Sequence, residues 1–247
     1  GPYYRPGTGG ETVIAEIEGK RLQAKRDLHQ EKQQAQAIIA ACPALNSLEK
    51  IDDEWTIAEA EDCLEILLEL QALGDQVIIE WPEGEKLRIQ HQADLSQFSL
   101  NIKQQKDWFS ISGELKLEDE LVLDMEKLLK MIEASPSRFV KLNDGQFLAL
   151  TQTFHQRLQE LNSYSEKYDN GVRIHPLAAF ALADLTEEVS SLRSDKHWKA
   201  HFKRLREAQA LEPELASTFQ ADLRDYQVDG FLWLSRLAHW GVGACLA

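Results

Sequence analysis

Apolar and polar residues alternate along several stretches of the first 150 residues, and a period of two is typical of strands with one buried face. The stretch DWFSISGELKLE, residues 107–118, shows this alternation clearly. The preceding stretch FSLNIKQQ, residues 98–105, predicts a neighbouring strand. The residues predicted on the apolar face of the first stretch are Phe109, Ile111, Leu115 and Leu117.

Three turn sequences predict where strands pair. Residues 12–25, TVIAEIEGKRLQAK, alternate around Glu18-Gly19, which predicts a hairpin. The segments VIIEW and KLRIQ flank the turn Pro82–Gly84 and predict a second strand pair. In RFVKL-NDG-QFLAL, Asn143-Asp144-Gly145 predicts a hairpin, because Asn and Gly accept the positive φ angles of such turns.

Other segments repeat apolar residues at three- and four-residue steps, the pattern of amphipathic helices. One predicted helix begins after Asp27 and ends before Pro43. The stretch MEKLLKMIEA, residues 125–134, predicts a second, and AEDCLEILLELQAL, residues 60–73, predicts a third that ends at Gly74. The stripe of the third helix is Cys63, Ile66, Leu67, Leu70 and Leu73, widened by Leu64 and Leu68.

From Thr151 onward the pattern predicts helices, in TFHQRLQELNSYSEKY, PLAAFALADLTEEVSSL and DKHWKAHFKRLREA. The stretches Asp169-Asn170-Gly171 and Glu212-Pro213-Glu214 are the predicted linkers. We therefore expect an α+β fold: an antiparallel-sheet domain in residues 1–150, and a helical connecting region in residues 151–221.

Charge narrows the function classes. The chain has 247 residues and a formal net charge of -14, which argues against non-specific coating of nucleic acid, because phosphate repels such a protein. A local basic face is still compatible with this charge, and the dense basic run is KHWKAHFKRLR, residues 196–206. It is either a solvated face above packed Trp198 and Phe202, or a functional element, namely an arm that follows phosphates or a brace against a neighbouring lobe. Its cations are Lys196, Lys199, Lys203, Arg204 and Arg206.

Cellular location follows from two further features. No apolar stretch approaches the roughly 20 residues of a membrane span, and no signal peptide opens the chain. Cys42, Cys63 and Cys245 form no CxxC pair, which predicts reduced packing residues and neither disulfides nor a zinc site. We expect a cytoplasmic protein without a membrane partner.

Two groups of polar residues were candidates for chemistry. The histidines considered for metal binding are His155, His175, His197 and His201. His197 and His201 share a helix face, but an HExxH arrangement and a third ligand are missing, so we expect no metal. The acidic pairs Asp52-Asp53 and Glu187-Glu188 predict solvated surface charges, because nothing brings them towards a nucleophile.

The stretch LRDYQVDGFLWLSRLAHWGVGACLA, residues 223–247, puts a polar turn before an aromatic-rich helix and a small apolar run. A Gln at such a helix start can accept a hydrogen bond from N6 of adenine and donate one to N7, so Gln227 is a candidate adenine contact. The alternative is an ordinary exposed Gln. Gly230 would allow close packing, and Val242 to Ala247 would form a central parallel strand. The predicted buried stripe is Phe231, Trp233, Leu234 and Leu237, with Trp240 also expected in the core. The alternative for Trp233 and Trp240 is contact with a nucleic acid.

These residues resemble the entry into the motor of Swi/Snf-type helicase-like ATPases. Such proteins carry L-R-x-Y-Q-x-x-G-x-x-W-L, then a strand that ends in G-x-x-L-A, then the loop D-D-M-G-L-G-K-T. The stretch Trp108 to Leu150 is similar to the helicase-associated segment that precedes the motor in bacterial members. It shares the order of a W-F strand, a helix and an R-F-V-x-L-x-D-G-x-F hairpin.

The resemblance implies that Gln227 contacts adenine and that Tyr226, Arg224 and Asp225 shape the edge of the nucleotide. It implies ATP and Mg²⁺ as cofactors of a parent protein. None is expected for this fragment alone, because the phosphate-binding Lys, the acidic metal box and the arginine finger have no counterpart here. The fragment is therefore not expected to hydrolyse ATP.

The resemblance also implies a RecA-like α/β motor lobe whose start is residues 222–247, with double-stranded DNA as the partner of the motor. Residues 1–150 would then be an accessory domain that positions or regulates the motor through contact with the ATPase lobes. Residues 241–247 would lack neighbouring strands, so we expect them to be disordered or to pair at an edge. The alternative, from another class, is a self-contained module that binds an unknown protein partner and no nucleotide.

Overall fold

The computed structural model describes residues 4–17, 19–51, 54–82, 86–118, 121–143 and 145–245. It is an α+β protein with antiparallel and mixed sheets, and the predicted fold class is confirmed at this level.

The chain forms two compact units. The first is Gly1–Gln90 with Leu142–Phe147, and the second is His91–Lys141 with Leu148–Ala247. The sequence analysis predicts boundaries after residues 150 and 221, which separate regions of different expected function. This functional division stays a prediction.

The strands of the described residues are β1 (Thr12–Ile17), β2 (Lys20–Lys25), β3 (Lys50–Ile51), β4 (Glu54–Trp55), β5 (Arg88–Ala93), β6 (Phe98–Gln105), β7 (Trp108–Lys116), β8 (Val122–Asp124), β9 (Phe139–Asn143), β10 (Gln146–Leu150), β11 (Ser165–Tyr168), β12 (Gly171–Ile174) and β13 (Ser191–Ser194). The helices are α1 (Leu28–Ala41), α2 (Pro43–Asn46), α3 (Ala60–Ala72), α4 (Met125–Ala134), α5 (Gln152–Ser163), α6 (Ala183–Glu188), α7 (Lys196–Ala210) and α8 (Asp225–Trp240).

The first unit opens with the predicted hairpin, because β1 and β2 pair antiparallel. Glu18, in its turn, lies outside the described residues. Helix α1 begins where the Asp27 carboxylate accepts hydrogen bonds from the backbone N–H groups of His29 and Gln30, at 3.1 and 2.9 Å. The helix ends before Pro43, so both predicted boundaries are confirmed.

Helix α3 forms as predicted but buries only part of its stripe. Gly74, with a φ of 56°, follows the helix end. The buried apolar residues of the first unit are, among those described, Cys42, Leu64, Ile66, Leu67 and Ile89. The core of this unit is therefore small.

The predicted pairing of VIIEW with KLRIQ is wrong. Residues 77–82 form no strand, and Ile78 is 85% exposed. The second segment enters β5 instead, and the neighbour of β5 is β10. Alternation identified a strand here but not its partner, since pairing depends on which buried face is available. Glu83 and Gly84, of the predicted turn, lie outside the described residues.

The second unit is built on a six-stranded sheet with the order β11-β12-β7-β6-β13, in which β8 also pairs with β7. Strands β6 and β7 pair antiparallel along their length, which confirms the predicted neighbours, whereas β13 runs parallel to β6. The predicted apolar face of β7 is buried, with Phe109, Ile111 and Leu115 at most 3% exposed.

Helices pack on this buried face. Phe98 of β6 meets Phe154 of α5 with ring centroids 5.4 Å apart, and Phe109 of β7 meets Trp198 of α7 at 5.0 Å. Helix α4 has its predicted bounds and begins where the Asp124 carboxylate accepts a hydrogen bond from the N–H of Lys127. The buried residues of α4 are Met125, Leu128, Leu129 and Ile132.

Strands β9 and β10 are neighbours in a three-stranded sheet with the order β5-β10-β9, so the predicted RFVKL-NDG-QFLAL hairpin is confirmed. Asp144, in its turn, lies outside the described residues. The buried residues of the two strands are Phe139, Val140, Leu148, Ala149 and Leu150.

The region 151–221 is not wholly helical, contrary to the prediction. Helix α5 ends at Ser163, the antiparallel strands β11 and β12 follow, and β13 comes after α6. Asp169-Asn170-Gly171 belongs to the turn between β11 and β12 and is no linker. The Asn-Gly pair favours such a turn over a continuing helix. The other predicted linker, Glu212-Pro213-Glu214, lies in the segment without helix or strand between α7 and α8.

The cysteines differ in their surroundings. Cys42 is fully buried, and burial raises the pKa of its thiol. Cys63 is half-buried and Cys245 is exposed, so the last one does not pack as predicted. Within the described residues, no helix has the length and apolar character needed to cross a membrane.

Candidate sites on the last two helices

Helix α7 begins at Lys196, and Asp195, predicted to lie inside the helix, caps its start. One carboxylate oxygen accepts a hydrogen bond from the N–H of Trp198 at 2.8 Å, and the other accepts one from the N–H of Gln104 in β6 at 2.7 Å. Burial acts to raise the pKa of Asp195, but these bonds and one from the N–H of His197 outweigh it, and the pKa is lowered. The signal in the sequence is an Asp directly before the helix.

One side of α7 is buried against the sheet. Trp198 is 2% exposed, lies edge-on to Phe109, and stacks on Phe202 with centroids 5.6 Å apart. Leu205 and Ala208 continue this buried side. The prediction that Trp198 and Phe202 pack below the basic run is therefore confirmed.

The five cations of the basic run are all exposed. Two of them are held by carboxylates: Arg206 forms an ion pair with Glu187, and Lys203 lies 3.6 Å from Glu207. The Arg206 guanidinium also lies 5.0 Å from the ring centroid of Phe202. These two ion pairs reduce the net positive charge that the basic run presents to a phosphate group. Lys196, Lys199 and Arg204 carry the rest of it, and their contact with nucleic acid stays a prediction.

His201 lies between the sheet and α8. Its Nε2–H donates a hydrogen bond to the carbonyl of Pro176 at 2.9 Å, and its ring meets those of Phe109 and Trp240 at 5.4 and 5.9 Å. Burial lowers the pKa of His201, and the nearby Arg204 charge lowers it further, while the Pro176 bond opposes both. His201 is therefore a neutral packing residue near pH 7.

The first turn of α8 holds the predicted adenine residues. The Gln227 side-chain oxygen accepts a hydrogen bond from the backbone N–H of Arg224 at 3.0 Å, which satisfies a donor at the helix start. Arg224, Asp225, Tyr226 and Gln227 are all exposed, Tyr226 by 65%. An amide oxygen has two lone pairs, so this bond leaves it able to accept a second hydrogen.

The apolar stripe of α8 is not buried, contrary to the prediction. Trp233 is 44% exposed and Leu234 is 37% exposed, while Phe231 and Leu237 are half-buried. A Cβ at Gly230 would meet nothing within 4 Å, so the close packing expected there is not observed. The described chain does not cover this face of the helix.

The end of α8 also differs from the expectation. Gly241, with a φ of 87°, ends the helix, and the N–H of Val242 donates to the carbonyl of Leu237 at 3.1 Å. Residues 242–245 form no strand, and Leu246 and Ala247 lie outside the described residues. The predicted parallel strand is thus absent from the described part of this segment.

Helix α8 attaches to α7 through its last turns. The Arg236 Nε–H donates to the carbonyl of Leu211 at 3.1 Å, and His239 lies 3.8 Å from Glu207. Trp240 is half-buried against His201, so it packs broadly as predicted, whereas Trp233 does not. These contacts leave the first turn of α8 and its apolar face in the open.

The other polar candidates occupy structural positions. His155 is buried on α5, and the His175 Nδ1 accepts a hydrogen bond from the N–H of Leu177. Among the described residues, no three histidine, cysteine or acidic side chains lie close enough to hold a metal ion. Glu188 pairs with Arg157 at 3.4 Å, so neither glutamate of 187–188 is simply solvated. Asp52 and Asp53 lie outside the described residues.

Comparison of this chain with family models, with curated proteins and with solved structures finds no match.

Proposed function

We propose that this chain is the accessory region, with the first helix of the motor, of an ATP-dependent double-stranded DNA translocase of the Swi/Snf-type helicase-like class. In this proposal the N-terminal α+β domain positions or regulates a RecA-like motor, and Gln227 reads the adenine edge of ATP. The observation that carries it is the position of Gln227, exposed in the first turn of a helix whose sequence resembles the motor entry.

Two properties of α8 support the proposal. The Gln227 oxygen keeps a lone pair while it caps the helix, and its amide N–H groups supply the donor that adenine N7 requires. The exposed Trp233 and Leu234 offer an apolar face of the kind that packs inside a motor lobe. Because the phosphate-binding and metal-binding residues are not in this sequence, the hydrolysis of ATP with Mg²⁺ would belong to the rest of the protein.

The second candidate is a protein-interaction module that binds no nucleotide. The same exposed apolar face favours it, because such a face also suits a protein partner. The net charge of -14 is compatible with a module that does not act on DNA.

A longer version of the protein, extended through both motor lobes, tests the proposal. We expect ATP hydrolysis that duplex DNA stimulates. The change Gln227→Ala should raise KM for ATP about tenfold, because one hydrogen-bonded base contact is lost, and should leave kcat nearly unchanged. It should also reduce the preference for ATP over GTP.

The matched control is Gln209→Ala, since Gln209 is an exposed glutamine of α7. Its KM for ATP should equal that of the unchanged protein. A longer protein that neither binds nor hydrolyses ATP would remove the motor and leave the interaction module as the better description.

A further inference from the structure

The face of the large sheet opposite the helices is polar and open. On β6 and β7 this face carries side chains that are half-buried or exposed, while the alternate residues point into the core. Strand β13 extends the same face, because Arg193 lies opposite Asn101 in the parallel register. The side chains of the open face include Ser99, Asn101, Lys103, Ser110, Ser112 and Arg193.

Two hollows lie side by side on this face and share Asn101, Ser112 and Asn170 as lining residues. Their volumes are about 440 and 300 Å³, which is the range of small-ligand sites. Hydroxyl and amide groups line both, and such groups donate and accept hydrogen bonds. Charged side chains line them as well: Glu114, Lys116, Asp124 and Arg193 in the larger hollow, and Lys103 and Asp169 in the smaller. The hydroxyl and amide groups suit a ligand with neutral polar edges, as a nucleobase has.

The turn between β11 and β12 forms the wall of the smaller hollow, through Tyr168, Asp169, Asn170 and Gly171. A Cβ at Gly171 would lie 2.1 Å from the carbonyl oxygen of Ile111, so only glycine allows the turn to approach β7 this closely. Asp169 has a φ of 51°, a conformation that Asp accepts in a tight hairpin turn.

A second non-glycine residue with positive φ, Lys106 at 55°, lies in the β6–β7 turn. Among the described residues these are the two non-glycine positions in this conformation, and both line hollows of this sheet. Both lie in two-residue hairpin turns, which commonly need positive φ angles, so the turns fix the shape of the chain beside the hollows.

Two aromatic rings and a guanidinium lie close together beside the hollows. The Arg173 guanidinium lies 4.8 Å from the ring centroid of Trp108 and 5.9 Å from that of Tyr168. Glu166 holds Arg173 in place with an ion pair of 2.6 Å. Tyr168 is 39% exposed, so its ring is available for stacking.

Charge on the face is arranged by position. Lys103 is exposed at the smaller hollow and Arg193 at the larger. The carboxylates Glu114 and Asp124, which lie opposite each other in β7 and β8, line the larger hollow as well. Asp169 at the rim can accept a hydrogen bond from a base amine. The two cations can contact phosphates, and the amide groups in the hollows can hydrogen-bond to base edges. The exposed tyrosine ring can stack on the face of a base.

We propose that this open face of the sheet, between Tyr168 and Arg193, binds single-stranded nucleic acid. Bases stack on Tyr168 and enter the hollow beside Asn101, and phosphates contact Lys103 and Arg193. This site is separate from the proposed duplex-binding motor. It needs no ATP and can be tested on this chain alone.

The experiment titrates the chain into a fluorescein-labelled oligothymidylate of about 15 nucleotides, a length that covers a single-strand site. Anisotropy is followed at several salt concentrations. We expect binding at low salt that weakens as salt rises. Lys103→Ala should lower the log–log salt slope by about 0.7, since one phosphate contact is lost. Tyr168→Ala should weaken binding about tenfold with the slope unchanged, since stacking carries no charge.

Lys127→Ala on α4 is the matched control, because Lys127 is an exposed lysine on a helix that packs against the other side of the sheet. Its affinity and slope should equal those of the unchanged chain. An abasic oligonucleotide of equal length should bind more weakly, and a duplex no more tightly. The proposal is overturned if the oligothymidylate does not bind at low salt, if the abasic strand binds equally well, or if Lys127→Ala lowers the slope as Lys103→Ala does.

Discussion

Helices α7 and α8 share an apolar sequence pattern but differ in how far that pattern is buried. Both carry tryptophan and other apolar residues at helical spacing, and both predict a buried stripe. In α7 that stripe is buried, with Trp198 2% exposed against the sheet. In α8 no residue is buried, and Trp233 is 44% exposed. The apolar pattern thus indicates which side of a helix can be buried, while burial itself depends on an available partner surface.

The N-terminal caps of the two helices also differ in how they connect to the rest of the protein. The Asp195 carboxylate fixes the start of α7 and also bonds to β6, so one side chain joins helix and sheet. The start of α8 is held by Gln227 within its own first turn, and this bond reaches no other element. Helix α7 is therefore part of the core of the second unit, and α8 is attached to it mainly through its last turns.

The largest expected effect tests the burial difference directly. Trp198→Ala should lower the free energy of unfolding by about 3–5 kcal/mol, because it removes a buried aromatic side chain and leaves a cavity. Trp233→Ala, on the exposed face of α8, should change it by about 1 kcal/mol or less. Urea denaturation, followed by far-UV circular dichroism, measures both. Equal losses for the two variants would show that α8 is as well packed as α7, and would end the comparison.

A smaller effect is expected at the cap of α7. Asp195→Ala should cost about 1–2 kcal/mol, because N–H groups of the helix and of β6 lose their acceptor. Asp195→Asn should retain most of the stability, since Asn also caps helices well. Because the pKa of Asp195 is lowered in the folded protein, its contribution is present above the unfolded pKa of about 3.9 and is lost as pH falls below it.

The control for the cap is Asp27→Ala at the start of α1, whose carboxylate bonds only to its own helix. Thermal unfolding at pH 7 should show a smaller loss for Asp27→Ala than for Asp195→Ala. The reverse order would mean that the bond to β6 adds nothing.

Much of the fold could be predicted, because short-range signals decide it. The Asp27 cap, the alternation in β7 and the Asn143–Gly145 turn each fix an element through its nearest neighbours in sequence. The pairing of segments that are distant in the sequence could not be predicted. Segment 77–81 is rich in apolar and β-branched residues like a strand, but it forms none. Residues 165–168 are predicted as helix and 169–171 as a linker, although two short strands pair there.

The candidate site shows the same division between local and distant signals. The position of Gln227 in the first turn of a helix follows from the sequence, and so does the basic run in α7. The pairing of Arg206 with Glu187 and the hollow beside Tyr168 could not be predicted, since each joins elements that only the folded sheet brings together.

His201, packed between Phe109 and Trp240, provides a pH test of how α8 is held. Its folded pKa is lowered, so the unfolded state binds the proton more readily, and stability should fall as pH drops from about 6.5 towards 5. His201→Gln does not titrate and should flatten this part of the stability–pH curve. Urea midpoints between pH 7.5 and 5.5 measure it, a range in which carboxylates stay largely ionised. An unchanged curve would mean that His201 does not resist protonation in the folded state.

The smallest expected effect separates the two roles of Gln227. In this chain, Gln227→Ala should cost only a few tenths of a kcal/mol, because the capping bond is exposed and local. Gln227→Glu should cost nothing measurable, since a carboxylate accepts the same bond and suits the positive end of the helix. A carboxylate cannot donate to adenine N7, however, so in a longer protein with both motor lobes the two variants should lose ATP affinity alike. Parallel denaturation and ATP titration of the two variants checks this. If Gln227→Glu kept the ATP affinity of the unchanged protein, Gln227 would be only a helix cap.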